Sequence, residues 1–118
     1  MDRIARVACR MLGVPVVLVN LVGGERQRFL GCAADEPWAS MTEMPLTAGF
    51  CPFALGAAEA YALTDARLDS ALAVNPAVEQ LGMVAYAGVP LRTADGEAIG
   101  TLCAIDFEPR AGTVSAVV

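Results

Sequence analysis

The chain has 118 residues and a mass of 12.2 kDa, the size of one domain. Apolar residues make up 56%, above the roughly 45–50% usual in soluble proteins, which excludes a disordered chain. Its 8 basic residues, all arginine, stand against 13 acidic ones for a net charge of −5, so a surface that tracks a phosphate backbone is excluded and no nucleic-acid partner is expected.

Ile4, Val7, Ala8, Met11 and Leu12 recur at helical spacing while Arg3, Arg6 and Arg10 fall outside that stripe, which predicts an amphipathic N-terminal helix closed by Gly13. Basic residues alternating with apolar ones do not make a secretory leader. The apolar run 14–22 is interrupted by Asn20 and falls short of the ~20 residues of a membrane helix, so no membrane span is expected. Its Val and Leu content predicts a central strand instead. Gly23-Gly24 then introduces an antiparallel return strand over 26–32. Residues 33–47 carry Pro37, Trp38, Met41, Met44 and Pro45 without a period of either kind and are predicted to be an ordered loop, the sort that borders a pocket.

A helix is predicted over 52–59, with Cys51 at its cap and Pro52 in the first turn, followed by a short strand over 61–64. Asn75-Pro76 caps and opens a brief helix to Leu81, stopped by Gly82. Two strands, 84–92 and 98–107, flank the hairpin turn signalled by Asp95-Gly96. Alternation in the last strand places Ile99, Thr101, Cys103 and Ile105 on one face and Gly100, Leu102, Ala104 and Asp106 on the other. Both faces are mostly apolar, so both are expected to be covered. The sum is an α+β layer arrangement, an antiparallel sheet with helices on its faces. The apolar tail 111–118 has no assigned partner.

Three strings carry a resemblance: Leu12-Gly13-Val14-Pro15 leading into a strand, Gly49-Phe50-Cys51 opening a helix, and Tyr86-Ala87-Gly88-Val89-Pro90-Leu91 followed by Asp95-Gly96 and Ile99-Gly100-Thr101-Leu102-Cys103-Ala104-Ile105-Asp106. Together, over roughly residues 1–110, they resemble a GAF domain of the bacterial signalling type. The resemblance implies a sheet of five or six strands, a ligand pocket on the side opposite the terminal helices, and a sensor role in signal transduction, non-enzymatic and cytoplasmic. The C-terminal helix that in the family packs beside the first is expected to be missing, with 111–118 in its place. A stripe of Ile4, Val7 and Met11 left without that helix would be an exposed apolar patch, so a homodimer held partly by the N-terminal helix is expected, passing its output to a partner signalling protein.

The residues expected to form the ligand site are Trp38, Phe50, Phe53 and Tyr86 as apolar walls, Cys51, Thr101 and Cys103 as small ones, and Asp65 at a strand end. Core packing accounts for the same aromatic residues equally well. No catalytic residue is assigned. Cys51 at a helix start is the candidate nucleophile. Free methionine sulfoxide reductases resemble GAF domains with a cysteine near this position, but they need another in the segment before the 84–92 strand, and 75–83 contains none. Disulfide exchange needs a second thiol within reach, and no sequence neighbour of Cys51 supplies one. With no histidine, and four cysteines (Cys9, Cys32, Cys51, Cys103) that form no CxxC pair, zinc, covalent bilin and the commonest haem ligation are all disfavoured. The cyclic-nucleotide motif of the family is echoed only by Asn75 and Glu79. The cofactor and ligand therefore stay unnamed. A structural dimerisation module with its pocket filled by its own side chains is the alternative to a sensor.

Overall fold

Helix α1, Asp2–Leu12, opens with the acidic Asp2 and ends with Arg10, each at the terminus whose dipole favours it. Gly13, at φ +66°, closes the helix and donates its N–H to the Cys9 carbonyl at 2.9 Å. These details come from a computed structural model of the chain, which describes residues 2–36 and 38–110.

Strands β1 (Val16–Gly23), β2 (Arg26–Ala33), β3 (Glu43–Pro45), β4 (Tyr61–Leu63), β5 (Ala85–Arg92) and β6 (Ala98–Asp106) form one sheet in the order β3-β2-β1-β6-β5-β4. Every neighbouring pair is antiparallel. Helices α2 (Cys51–Leu55) and α3 (Pro76–Glu79) join the faces of this α+β arrangement, with short 3-10 turns at Trp38–Ser40 and Ala66–Leu68. Strands β1 and β6 lie at the middle of the sheet, and Val16, Val17, Leu18 and Val19 of β1 are buried on both of its faces.

Directly opposed residues of an antiparallel pair share a face. One face therefore carries Val16 and Ile105, Leu18 and Cys103, and Asn20 and Thr101, continued by Tyr86 and Gly88 of β5. Here lies the larger core, closed by Trp38, Phe50, Ala54, Ala77 and Met83. The opposite face carries Val17 and Ala104 beneath Ala5 of α1. Gly100 sits so near β1 that a Cβ there would collide with the Asn20 carbonyl, which is why the β6 string needs glycine at that point.

Several expectations change. The loop predicted over 33–47 contains a strand, β3, whose Met44 lies opposite Gln27. Three residues are too few to show a period. The helix after Phe50 spans Cys51–Leu55 and stops at Gly56, with Phe50 rather than Cys51 in the capping position. The helix from Pro76 ends at Glu79, before the Leu81 foreseen. In α1 the exposed apolar patch expected of Ile4, Val7 and Met11 is present. The small side of the helix, Ala5 with the half-buried Ala8 and Cys9, faces the sheet, while Ile4, Val7 and Met11 stay 53%, 49% and 79% exposed. Small residues permit close approach to the sheet, and the bulkier stripe is turned outward beside a groove of about 160 Å³ that Met11 and Leu102 help to line. The expectations for 111–118, and for a helix missing there, lie outside the described residues.

Candidate functional site

Asn20, Gln27 and Thr101 are the buried polar side chains among the described residues, and they are neighbours. Asn20 and Thr101 face each other across β1 and β6. Asn20 Nδ2 donates to Gln27 Oε1 at 3.0 Å, and Gln27 Nε2 donates to the carbonyls of Ala48 at 2.8 Å and Pro45 at 3.3 Å. A buried amide is costly unless bonded, so this chain accounts for three of the four amide positions and ties the 45–48 segment to the sheet. From the other side Asn75 holds the same lid, its Oδ1 accepting from Gly49 N at 2.8 Å and from Ala77 N at 2.9 Å, and its Nδ2 donating to Gly49 O at 2.9 Å. Gly49 stands at φ +86°, a backbone state that favours glycine.

Beneath this lid, Leu18, Asn20, Gln27, Trp38, Met44, Phe50, Cys51, Met83, Tyr86 and Cys103 surround a cavity of about 10 Å³, room for about one water molecule. Three polar atoms of its lining residues, Asn20 Oδ1, Trp38 Nε1 and the Tyr86 hydroxyl, have no hydrogen-bond partner among the described residues. Their residues are only 2–3% exposed. The Tyr86 ring lies over Gly88, where a Cβ would stand 2.7 Å from the hydroxyl, and meets Phe50 edge-on at 5.6 Å. The Tyr86-Ala87-Gly88 string thus buys space for that hydroxyl.

Cys51 Sγ lies 3.4 Å from Thr101 Oγ1, and burial pushes the Cys51 thiol up although bonds from Thr101 and Asn20 act in the opposite sense. Burial first, and the nearby Cys51 second, push the Cys103 thiol up to about 12. Burial also holds the Tyr86 phenol well above its ordinary range. At neutral pH every group lining the cavity is uncharged. The low pKa that would activate a cysteine is reversed here. Even so, the fold brings Cys103 to the same cavity as Cys51, a proximity hidden by their separation in sequence.

Six of the eight expected site residues, Trp38, Phe50, Cys51, Tyr86, Thr101 and Cys103, converge here, with Thr101 behind Cys51. Two do not. Phe53 is 48% exposed and stacks on Tyr61 at 5.3 Å, because the short α2 turns it to the outer side. Asp65 caps the Ala66–Leu68 turn and binds Arg67 through Nε at 2.9 Å and Nη2 at 2.7 Å, and this partner lowers its carboxyl pKa. Missed from the sequence were Asn20 and Gln27. The signal for Asn20 was available: one amide inside a Val/Leu run is a polar group that the strand must bury.

The fold and site define a class. The GAF domain model matches residues 1–116, and the chain belongs to the GAF family. It is 31% identical over 110 residues to a cyclic di-GMP phosphodiesterase of Pseudomonas aeruginosa, a match covering 92% of this chain and 18% of that protein's length. Among solved structures, a type II free methionine-R-sulfoxide reductase from Thermoplasma acidophilum superposes with a TM-score of 0.75 at 14% identity, covering 99% of this chain and 80% of that one. The GAF domain of an Acinetobacter phosphoenolpyruvate-protein phosphotransferase superposes with a TM-score of 0.70 at 14% identity, covering 98% and 70%. These two likenesses establish the fold alone. Among the described residues no helix is long and apolar enough to cross a membrane.

Proposed function

We propose that this domain is a non-enzymatic, small-molecule-sensing module of a cytoplasmic signalling system, acting in a homodimer and passing its state to a partner signalling protein. The observation that carries the reading is the set of three polar atoms without a partner among the described residues, all on residues that line one buried cavity. Each such atom costs about 1–3 kcal/mol while it stays unmatched. A polar ligand offsets that cost. The relationship to a cyclic di-GMP phosphodiesterase, of which the matched region is a minor part, supports a regulatory setting. The lid is held by the side chains of Gln27 and Asn75, so ligand occupancy shifts the population between lid packings. The exposed Ile4, Val7 and Met11 stripe supports the dimer.

Native mass spectrometry of freshly purified protein beside a denatured aliquot tests the reading. A mass excess present only in the native spectrum supports a non-covalent ligand. Clean apo mass as a dimer favours the second reading, a dimerisation module, for which the small size of the cavity, about 10 Å³, speaks directly. Met11→Arg is expected to shift the native spectrum toward monomer, and an unchanged dimer would remove α1 from the interface.

A further inference from the structure

We infer that the cavity selects an uncharged ligand carrying a hydrogen-bond acceptor beside a donor, the edge of a carboxamide or lactam. The inference rests on the ligand-sensing reading and specifies its chemistry. The polarity of the site is fixed by the amide chain rather than chosen. Gln27 Nε2 faces two carbonyls, those of Pro45 and Ala48, so its oxygen must face Asn20. Asn20 must then present Nδ2 to Gln27, which leaves Oδ1, on a residue that lines the cavity, as an acceptor without a partner among the described residues. Flipping either amide would set oxygen against oxygen. Trp38 Nε1 is a donor only, and the Tyr86 hydroxyl accepts or donates. The open valences are therefore one acceptor, one donor and one adaptable hydroxyl.

A carboxylate or phosphate presents acceptors alone and leaves Asn20 Oδ1 facing an oxygen. An ammonium presents donors alone and leaves Trp38 Nε1 facing a donor. Neither finds a counter-charge, because burial keeps the Cys51, Cys103 and Tyr86 groups neutral and no acidic or basic side chain is among the lining residues. Desolvating an ion in such a site is prohibitive. A –CO–NH– edge satisfies Trp38 with its oxygen and Asn20 with its N–H. Room for a molecule larger than water requires Met44 and Met83, whose unbranched side chains line the cavity, to take other rotamers.

Trp38 is the single tryptophan of the sequence and lines the cavity, so its fluorescence reports occupancy directly. The protein is titrated at neutral pH with pyrrolidinone and dihydrouracil as neutral probes, and with acetate, inorganic phosphate and methylammonium as charged ones, with thermal shift as a second readout. A saturable response to the neutral probes alone, weakened about tenfold in Tyr86→Phe, is the expected result. Saturation by an ion as tight as by the lactams overturns the inference while leaving a ligand-binding domain in place. No response to any probe also overturns it, and a clean apo mass in the native spectrum then removes the sensor reading as well.

Discussion

Replacing Tyr86 by Phe separates a site kept for binding from one kept for stability. The ring is 3% exposed and meets Phe50 at 5.6 Å, contacts that Phe preserves. Only the hydroxyl goes. Thr101 and Cys103 lie near enough to influence its ionisation, yet neither stands as its hydrogen-bond partner. A buried hydroxyl without a partner costs about 1–3 kcal/mol, and weak polar contact with Thr101 and Cys103 offsets part of this. The ligand-free variant is therefore expected to gain about 1 kcal/mol, or roughly 3–5 °C in Tm for a domain of this length. Urea and thermal unfolding of the two proteins measure it. A variant less stable than the parent by 1 kcal/mol or more would show that the hydroxyl is satisfied in the folded state, and the argument from partnerless atoms would lose one of its three members.

Asn75→Ala removes the α3 cap and both bonds to Gly49, and is expected to cost about 2–3 kcal/mol in urea unfolding while speeding hydrogen exchange over 46–50; unchanged exchange there would show that Asn75 does not latch the lid. Gly88→Ala forces its Cβ against the Tyr86 hydroxyl and is expected to destabilise by about 1–3 kcal/mol, with the double variant Gly88→Ala/Tyr86→Phe recovering much of the loss; strict additivity in that cycle would refute the contact. Alkaline pH supplies a further test. The Cys103 thiol rises from 9.0 to about 12 on folding, so its folded form holds the proton more tightly, and stability is full below pH 9.0 and falls as pH climbs toward 12. The slope contributed is about 1.4 kcal/mol per pH unit. Cys103→Ala should flatten that decline relative to the parent in a Tm series from neutral to alkaline pH, and an equally steep decline would place the titration elsewhere.

The sequence by itself determined five of the six strands, the hairpin and most of the residues that meet at the cavity. Local chemistry settled these. Val and Leu runs of strand length, Asp95-Gly96 at φ +86° for Gly96, and Asn75-Pro76 before a helix act within a few residues of chain, so they are legible without knowing what packs on them. The family strings could likewise be read directly, and six of the eight expected site residues do meet. What only the tertiary structure decided was the side each element presents and which polar atoms stay unmatched. The stripe of α1 divided on folding: Ala8 and Leu12 pack toward the sheet with Ala5 and Cys9, while Ile4, Val7 and Met11 stay exposed. Phe53 and Asp65 left the site for the same kind of reason, since a five-residue helix and a local arginine fix their directions. The polarity of Asn20 depends on Gln27, and Gln27 on two carbonyls about twenty residues away across β3 and the lid. Hydrogen-bond matching between distant segments is set by the folded geometry, which is why the cavity's chemistry became readable only there.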